Sequence, residues 1–592
     1  MYSSEPAPAA SNAPSRLRLW PAIAIVAAMW AAIKLPGLVS DDALLKFAGM
    51  FWGAVGGAAL FVLWWLFLSR APWRDRWLGL ALFAAIGVGM YFLLDPSVGG
   101  FGVIFYSLPL AFTAWMLWLI ASQRLSRRAR LAGLGVVLAA AWGYVATLRF
   151  DGVDGDFNSK ISFRWETTDE QRFLAERARS KSEPGASAPA AVIALSPGDW
   201  PAFRGANRDG RLPGVLIATD WNAEPPKELW RRRVGPGWSS FAVIGNRLFT
   251  QEQRGESEVV VCYDADTGNE VWTHADTARF EESVAGPGPR ATPTFHDGRI
   301  YSMGGAGRLN CLEAATGKLI WRRDVLKDAG AKLQEWGCAA SPLIHNGIVA
   351  VYAGGPDGKA VIAYKTADGE IAWTGGVGTH SYCSLQLSRL HGVEQLLIAT
   401  DAGLTAFEPA TGKVLWHDDW DTGGQIARIV QPAVIGESDV LLGTAFEKGT
   451  RRVHLEVKDG QWSPSHVWET IAFKPYYNDF VIHDDHIYGF NGTFFICMSL
   501  ADQKIRWKER GYGAGQALLL PDQNLIIVLT EKGEVALVET NPNQRKEIAR
   551  IPAIQGKTWN HPVIAHGKLF VRNGAEMACF ALRSKNANAE TK

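Results

Sequence analysis

The feature that most constrains the fold of this chain is a short motif that recurs along its second half. A small residue is followed two positions later by an acid, then by Thr-Gly, and a Trp comes four residues after the Gly. Each copy predicts two strands joined by a tight turn, because Gly accepts a positive φ at little cost. One hairpin cannot bury its own apolar face, so the copies must stack. Three copies are complete and two are degenerate: Cys262–Trp272, Cys311–Trp321 and Ala406–Trp416, then Ala363–Trp373 and Cys497–Trp507.

The tryptophans that end these units set the size of the repeat. They fall at intervals of 42, 49, 52, 43, 52 and 39 residues, which suits a four-stranded propeller blade. A degenerate unit around Ala536 and a terminal unit, residues 559–582, follow. We interpret residues 228–234 as a lone strand that closes the ring by completing the last blade. The prediction is an all-β, eight-bladed propeller over residues 199–582, or seven blades if the degenerate unit is not a blade. The tryptophans are Trp230, Trp272, Trp321, Trp373, Trp416, Trp468 and Trp507.

The first quarter of the chain predicts an all-α domain of five transmembrane helices over residues 19–150. Each apolar stretch is about 18–22 residues long, enough to cross a bilayer as a helix, so the lipid bilayer is one expected partner. Residues 1–18 are rich in Ala, Pro and Ser and predict a disordered terminus. No cleaved signal peptide is evident, so the first span should remain as an anchor. The five stretches lie near residues 19–39, 47–68, 77–94, 101–121 and 131–148.

Basic residues in the loops predict the orientation of these helices. Arginines cluster before the first span, between the second and third spans, and between the fourth and fifth spans, whereas the two remaining loops contain Lys46 and no arginine. The positive-inside rule then places the N-terminus in the cytoplasm and the propeller outside, which is the periplasm of a Gram-negative cell. The expected location is the inner membrane, with several crossings. Residues 1–150 contain no His, so we expect no His-ligated haem there, and a quinone pocket stays open.

The connection between the two halves, residues 151–198, predicts a linker with one short helix. Residues 151–156 suggest a turn-rich exit from the last span. Residues 167–180 predict a helix capped by Thr167 or Thr168, with Asp169 and Glu170 in its first turn. An Ala/Pro/Ser-rich stretch, residues 182–197, follows. At the other end of the chain, residues 583–592 predict a disordered tail.

Residues 199–210, which read Asp-Trp-Pro-Ala-Phe-Arg-Gly-Ala-Asn-Arg-Asp-Gly, precede the repeats. Together with the Thr-Gly-x-x-x-Trp units, they resemble the pyrroloquinoline-quinone (PQQ)-binding-like β-propeller repeat family over roughly residues 199–582. The family includes PQQ-dependent alcohol and sugar dehydrogenases and a non-catalytic lipoprotein that helps to assemble outer-membrane proteins. Five membrane helices before a periplasmic propeller also resemble the architecture of membrane-bound PQQ glucose dehydrogenase. The resemblance thus implies the fold and leaves the activity open.

Candidate site residues come from the segments that open the innermost strand of each blade, because these strands line the central channel. PQQ is a flat tricarboxylate, so its binding needs an aromatic face, cations and usually Ca²⁺ held by oxygen ligands. We predict Asp479 as a catalytic base and Asn478 as a metal ligand beside it. The alternative is a wet channel without chemistry. The segments are residues 238–240, 290–293, 336–342, 380–384, 425–428, 476–479, 512–515 and 559–561, and the predicted cofactor-binding residues are Arg290, Trp336, His380, Arg428, Asn478, Trp559 and His561.

The positions of the cysteines indicate a role in packing for most of them. Cys262, Cys311, Cys497 and Cys579 occupy the small-residue position of the repeat and are expected to be buried fillers. Cys338 and Cys383 open the inner strands of two adjacent blades, so either a disulfide or two free thiols fits there. No Cys-Cys pair and no Cys-x-x-Cys-His occurs, so we expect no attached haem.

Two functions fit the sequence. The first is an inner-membrane-anchored periplasmic propeller that acts as a binding or scaffold module for an envelope protein or ligand. The second is a PQQ-dependent dehydrogenase that oxidises an alcohol or sugar and passes electrons to membrane quinone. A dehydrogenase needs a carboxylate, a cation and an aromatic floor that converge, whereas a scaffold should show them dispersed. The 60 basic and 59 acidic residues nearly cancel, so no nucleic-acid partner is expected.

Overall fold

The computed structural model describes residues 17–40, 43–180, 193–423, 427–445 and 448–585. The chain divides into a helical unit, Met1–Val153 with Phe157–Glu166, and a propeller unit, Asp154–Asp156 with Thr167–Lys592. Most of the predicted disordered N-terminus, of the Ala/Pro/Ser stretch and of the C-terminal tail therefore lies outside the described residues. Residues 425 and 426 of one predicted channel segment lie outside them as well.

The helical unit consists of apolar helices followed by a two-stranded hairpin. Short π-helical turns, Trp64–Leu68 and Val103–Ser107, follow the second and fourth helices, and a 3₁₀ turn, Pro96–Val98, precedes the fourth. The strands of the hairpin pair antiparallel. The elements are α1 (Trp20–Val39), α2 (Ala43–Leu63), α3 (Trp73–Tyr91), α4 (Gly99–Gly102), α5 (Leu108–Ala121), α6 (Arg127–Ala146), β1 (Leu148–Val153) and β2 (Ser159–Phe163).

Four helices within the described ranges are long and apolar enough to cross a membrane, one fewer than the five predicted. The remaining predicted span, near residues 77–94, is α3. Arg74, Asp75 and Arg76 lie at the start of this helix, so its apolar part runs only from Trp77 to Tyr91. That is shorter than the roughly 17 residues that a crossing helix needs. The four candidate spans are Trp20–Val39, Leu45–Leu68, Pro96–Ala121 and Arg127–Ala146.

The arginine-rich loops of the helical unit meet at one end of its bundle. The backbone N–H of Arg18 donates to Ser69 O at 3.1 Å, and Arg127 Nε donates to Asp75 Oδ1 at 2.6 Å. At the opposite end, Arg164 donates to the carbonyls of Leu93 and Ala146 at 2.8 and 3.2 Å. The loops that the sequence marks as basic are therefore neighbours in space.

The propeller unit contains eight four-stranded antiparallel sheets, which confirms the eight-bladed prediction. The degenerate unit around Ala536 forms a complete seventh blade. Numbered in chain order, the blades are: blade 1, β4–β7 (Ala242–Ile244, Arg247–Arg254, Ser257–Asp264, Glu270–Thr277); blade 2, β8–β11 (Thr294–His296, Arg299–Met303, Arg308–Glu313, Leu319–Asp324); blade 3, β12–β15 (Leu343–His345, Ile348–Gly355, Lys359–Lys365, Ile371–Gly375); blade 4, β16–β19 (Gln386–Leu390, Val393–Thr400, Gly403–Phe407, Val414–Asp419); blade 5, β20–β23 (Ala433–Ile435, Asp439–Gly443, Thr450–Lys458, Gln461–Thr470); blade 6, β24–β27 (Val481–His483, His486–Asn491, Phe494–Ser499, Ile505–Glu509); blade 7, β28–β31 (Gln516–Leu520, Leu525–Leu529, Glu534–Glu539, Glu547–Pro552); and blade 8, β32–β34 with β3 (Val563–Ala565, Lys568–Arg572, Glu576–Ala581, Lys227–Arg233).

The ring closes through a strand that precedes the first blade, as predicted. Strand β3 pairs antiparallel with β34, with Arg233 opposite Glu576 and Lys227 opposite Ala581. Blade 8 is thus built from both ends of the propeller sequence. This leaves the ring without an open gap between its first and last blades.

The repeat Trp of blades 8, 1, 2 and 3 packs onto the next blade, against the Gly of that blade's Thr-Gly or Asp-Gly turn, so the Gly is needed for space as well as for the turn. Gly317 has φ +73°, and a Cβ at this position would lie 2.4 Å from the ring of Trp272. The indole N–H also donates to a carbonyl of that next blade. These bonds run from Trp230 to Ala265 O (3.0 Å), Trp272 to Ala314 O (3.0 Å), Trp321 to Thr366 O (2.9 Å) and Trp373 to Pro409 O (3.0 Å).

A short helix, α7 (Asp169–Ser180), packs against blade 1 within the propeller unit. Thr168 is its N-cap, because the backbone N–H of Gln171 donates to Thr168 Oγ1 at 3.0 Å. Glu170 accepts from Gly255 N at the tip of a blade 1 hairpin, and Arg177 forms an ion pair with Glu270. A second short helix, α8 (Val325–Ala329), and a 3₁₀ turn, Pro521–Gln523, complete the helical elements of this unit within the described residues.

Candidate functional site

The central channel of the propeller has two different mouths. The inner strands begin at one mouth, which we call the aromatic mouth, and end at the other, which we call the strap mouth. The strap is the segment 200–212, which lies across the second mouth. It bonds through its backbone to the inner strands of blades 1, 2 and 7, at Val243, Phe295 and Leu519. The sequence placed every candidate site residue at the first mouth.

An arc of aromatic rings crosses the aromatic mouth from blades 8 and 1 to blades 3 and 4. It joins residues that lie far apart in sequence, and neighbouring ring centroids are 4.8–6.0 Å apart. Trp336 and Tyr476, from opposite sides of the ring, meet edge to face at 6.0 Å. The arc therefore fills much of the mouth. In order, its members are Trp238, Trp559, Tyr477, Tyr476, Trp336, Tyr382 and His380.

Polar groups hold Trp559, which lies near one end of this arc, in position. Its indole N–H donates to Glu531 Oε1 at 2.7 Å, and the same oxygen accepts from Gly155 N at 2.7 Å. Burial raises the pKa of the Glu531 carboxyl, against the effect of these donors. The ammonium of Lys557 lies 4.0 Å from the centroid of the Trp559 ring, which is a cation–π contact.

Asp479, the predicted base, lies deeper in the channel and is 4% exposed. Its Oδ1 accepts from Gln431 N at 2.7 Å, and its carboxylate lies 3.5 Å from Arg204 and 3.3 Å from His561 Nε2. Burial acts to raise the pKa of Asp479, but the charge of Arg204 and the hydrogen bond from His561 outweigh it, so the pKa lies below its usual value. A paired carboxylate of low pKa is a poor general base.

The two predicted cations are held by protein atoms. Arg290 forms an ion pair with Glu282 at 2.9 Å and covers the ring of Phe280. Arg428 is fully buried, donates to the carbonyls of Thr400 and Trp420, and stacks on the Trp420 ring at 4.3 Å. Burial lowers the pKa of both guanidinium groups, that of Arg428 to about 10. Neither residue belongs to the aromatic arc.

The remaining predicted residues divide between the arc and the channel interior. Trp336, His380 and Trp559 are members of the arc. Asn478 is buried, and its amide donates to Gly515 O at 2.6 Å. His561 packs against Phe203 of the strap, with ring centroids 4.9 Å apart, and burial lowers its pKa. The structure thus brings Asp479 and His561 together and separates them from Arg290 and Arg428.

This arrangement does not offer the set of groups that PQQ would need. A tricarboxylate requires cations that face it, but Arg290 serves a carboxylate, and Arg428 is fully buried against backbone carbonyls and the Trp420 ring, with its Nη1 lacking a hydrogen bond. Among the described residues, no group of three or more His, Cys, Asp or Glu side chains is placed to hold a metal ion.

Five of the six cysteines are buried, Cys338 is partly exposed, and all six are free thiols. The four in the repeat position, Cys262, Cys311, Cys497 and Cys579, are completely buried within blades. Cys338 and Cys383 do not form a disulfide in this structure. Burial raises the pKa of each of these two thiols to about 12, which makes them unreactive.

The arginines of the strap are site features that the sequence reasoning missed. Arg204 and Arg208 have φ of +59° and +58°, a region that non-glycine residues rarely adopt. Arg204 donates to Phe480 O at 2.8 Å, and Arg208 donates to Pro342 O and Ser341 O at 2.9 and 3.0 Å. The sequence feature that could have indicated them is the pair of arginines, four residues apart, in a segment that also contains Gly205 and Gly210.

Beside the strap lies a cavity of about 560 Å³. The strap forms one wall, and the ends of the inner strands of blades 2 to 6 form the others. Its lining is mainly apolar, with four arginines, Arg204, Arg208, Arg211 and Arg389. The ligand-sized space therefore lies at the mouth opposite the one that the sequence suggested.

Comparison with known proteins finds a family model that matches part of the propeller. A family model described as outer membrane protein assembly factor BamB matches residues 256–509, which run from blade 1 to the end of blade 6. Tetrathionate hydrolase of Acidithiobacillus ferrooxidans is 25% identical over 227 residues, which are 36% of this chain and 43% of that protein. The chain therefore spans less than half the length of that relative.

Several solved structures are similar to part of this chain. BamB from Moraxella catarrhalis has a TM-score of 0.42 at 12% identity, over 60% of this chain and 97% of its own. Quinohemoprotein alcohol dehydrogenase from Comamonas testosteroni has a TM-score of 0.44 at 14% identity, over 70% and 84%. A europium-containing methanol dehydrogenase has a TM-score of 0.46 at 13% identity, over 65% and 98%.

Proposed function

We propose that this protein is a membrane-anchored propeller that acts as a binding or scaffold module in the cell envelope. The observation that carries the proposal is the state of Asp479, Arg290 and Arg428, each of which is engaged by groups of the protein itself. A PQQ dehydrogenase would need these side chains free to meet a cofactor. The match of residues 256–509 to the BamB model supports the same choice.

The aromatic mouth is the contact face that we propose for an envelope protein partner. Trp and Tyr carry a large apolar area and a polar group on one rigid side chain, and they are enriched at the centres of protein interfaces. Trp238, Trp336, Tyr476 and Trp559 are each half-buried, so each keeps some surface for a partner.

The proposed location is the inner membrane, with the N-terminus in the cytoplasm and the propeller in the periplasm. This requires an odd number of crossings, and therefore requires α3 to cross in spite of its short apolar part. The helices α3 and α6 are paired at both ends, by Asp75 with Arg127 and by Arg164 with Leu93 and Ala146. The two helices thus cover the same depth, and the arginines of α3 extend into the basic end.

Accessibility of single cysteines to a membrane-impermeant maleimide tests this topology. The thiols would be placed at Arg128 and at Lys160 in a background without the natural cysteines. We expect labelling of intact cells with permeabilised outer membrane at residue 160 and no labelling at residue 128 until the inner membrane is disrupted. Labelling of both positions, or of residue 128 alone, contradicts the orientation.

Addition of PQQ and Ca²⁺ to the protein in detergent tests the choice between the two functions. A ligand that binds the folded state raises the melting temperature by mass action. We expect neither a saturable shift nor a change in PQQ absorbance at micromolar concentration. A saturable shift that Asp479→Asn abolishes, and that the exposed control Asp484→Asn retains, would establish the dehydrogenase instead.

Site-specific photo-crosslinking in cells tests the contact face. A crosslinking residue at Tyr476 should capture a defined envelope protein, whereas one at Val271 on the outer strand of blade 1 should not. The crosslink should weaken when Trp336→Ala is added, because that ring packs on Tyr476. Equal crosslinks at both positions would show that the aromatic mouth has no special role.

A further inference from the structure

The cavity at the strap mouth has the size and the lining of a small-molecule site. Its volume of about 560 Å³ lies within the range of roughly 300–1,000 Å³ that is usual for such sites. Apolar side chains, including Leu343, Val434 and Val481, supply most of its wall. Polar side chains, among them the four arginines, supply the rest, so the cavity offers a ligand both apolar burial and groups that orient it.

The charges around this cavity are not balanced. Arg204 lies 3.5 Å from Asp479, so its charge has a counterpart. Arg208 and Arg211 form no ion pair with a carboxylate in the described part of the chain, and their bonds go to the carbonyls of Ser341, Pro342 and Ile482. Two positive charges therefore face the cavity, against the single carboxylate of Asp209 that also lines it.

These two arginines also keep unused donors. A guanidinium has five N–H donors, of which Arg208 uses two and Arg211 uses one in bonds to the protein. Arg208 is 5% exposed, and burial lowers its pKa to about 10. Burying a cation without a partner is costly, and an anion in the cavity would offset that cost.

The strap leaves part of the mouth uncovered, and the cavity occupies that part. Backbone bonds tie the strap to blades 1, 2 and 7, and arginine side chains tie it to blades 3 and 6. Within the described ranges, no strap bond reaches the inner strand of blade 5, Ala433–Ile435. The end of blade 5 therefore stays open to a ligand that rests beside the arginines.

We propose that this cavity binds a small organic acid, with one carboxylate or sulfonate group on an apolar body. The oxyanion lies against Arg208 and Arg211, and the body packs on Leu343, Val434 and Val481. Guanidinium groups bind both kinds of oxyanion through paired hydrogen bonds, so the two acids share one chemistry. The site is separate from the aromatic mouth and does not depend on the function proposed for it.

Binding of matched pairs of acids and neutral isosteres to the full chain tests the proposal. The probes are benzoate with benzamide, and benzenesulfonate with benzenesulfonamide, measured by equilibrium dialysis in an uncharged detergent. We expect saturable binding of at least one acid, at least tenfold tighter than its neutral isostere. Comparison of the two acids identifies the preferred oxyanion. Equal binding within both pairs, or no binding of either acid, would overturn the proposal.

Single substitutions test whether the acid binds in this cavity. Arg211→Gln should weaken binding of the acid at least tenfold, and Val434→Trp should abolish it by filling the cavity. The control Arg506→Gln removes an exposed arginine from the outer strand of blade 6 and should leave binding unchanged. Equal weakening in the control would mean that the acid responds to general charge, and the proposal would fail. Arg208→Lys is a further variant, but because Arg208 pins the strap, circular dichroism must first show that it folds.

Discussion

Different contacts join blade 1 to blade 2 and blade 4 to blade 5. At the first, the ring of Trp272 covers Gly317, and its N–H donates to Ala314 O of the next blade. At the second, Trp416 donates to Gln395 of its own blade at 2.7 Å. The side-chain contacts with blade 5 include ion pairs, through Asp418 with Arg451 at 3.1 Å and with His466 at 2.7 Å, beside apolar packing that the two blades share.

The reason for the difference lies in the hairpin that receives the Trp. In blade 2 the turn between the third and fourth strands is short, and its Gly lies under the ring. In blade 5 the corresponding strands are long, Thr450–Lys458 and Gln461–Thr470, and their turn at Asp459 and Gly460 lies far from the preceding Trp. Without a Gly to cover, the junction uses a buried ion pair.

Loss of the indole should give the largest effect in the apolar junction. We expect Trp272→Ala to lower the free energy of unfolding of the propeller by about 3–5 kcal/mol, because it removes a buried ring and its hydrogen bond. Urea denaturation followed by far-ultraviolet circular dichroism measures the change. The exposed Trp165→Ala is the control, and an equal loss in both variants would show that Trp272 has no special role at the junction.

In the ionic junction, the corresponding change is Asp418→Ala. It leaves His466 without its carboxylate and Arg451 paired with Glu469 alone among the described residues, which should cost about 2–3 kcal/mol of the free energy of unfolding. The same urea assay applies, with Asp502→Ala as a control because Asp502 pairs with Arg506 at the surface. A loss below about 1 kcal/mol would mean that the ion pair does not join blades 4 and 5.

The close contact between ring and glycine gives a smaller, more specific effect. Gly317→Ala should cost about 2 kcal/mol or more, because its φ is +73° and the new Cβ would meet the Trp272 ring. Gly460→Ala is a matched control, since Gly460 has φ +75° but open space around it. If the two variants lose the same stability, the backbone conformation alone explains the Gly, and the ring contact adds nothing.

The pH dependence of stability gives the smallest expected effect, and it concerns a carboxyl near the apolar junction. Glu258 accepts from Gly305 N at 2.8 Å across that junction, and burial raises its pKa from 4.5 to about 7. A raised pKa means that the folded state binds the proton more tightly, so stability falls as the pH rises from about 4.5 through 7.

Glu258→Gln should remove this dependence and raise the free energy of unfolding at pH 8 by about 1–2 kcal/mol relative to the natural protein. The measurement is the urea midpoint at pH 5 and at pH 8 for both proteins. A variant that is less stable at pH 8, or that keeps the full pH dependence, would contradict the assignment.

The repeat could be predicted from the sequence because the residues that specify each hairpin lie close together in the chain. Trp272, Thr267 and Gly268 specify their own hairpin within a few residues, so the spacing of such units predicted eight blades and the closing strand. The directions of Arg290 and Arg428 depend on neighbouring loops and strands, and an error of one residue in strand register reverses a side chain. For that reason the candidate ring was predicted as a set of segments but not as a set of contacts.

Two other features could not be predicted from patterns in the sequence. Arg204 and Arg208 adopt a positive φ that no propensity favours, and only the strands around the strap hold them there. The predicted span near residues 77–94 is longer than the apolar part of α3, because the helix ends at Tyr91. The positive φ of the two arginines shows local preference outweighed by the contacts of the folded ring.

The closing strand has a consequence for how the protein is made. Strand β3 is synthesised about 340 residues before its partner β34, which at roughly 5–20 residues per second is a delay of tens of seconds. During that time it is an unpaired edge, open to pairing with any nascent chain. Its sequence, Lys-Glu-Leu-Trp-Arg-Arg-Arg, is unusually charged for a strand, and such charges prevent strands from aggregating. The same arginines that flank Trp230 in the finished ring would thus protect the waiting strand.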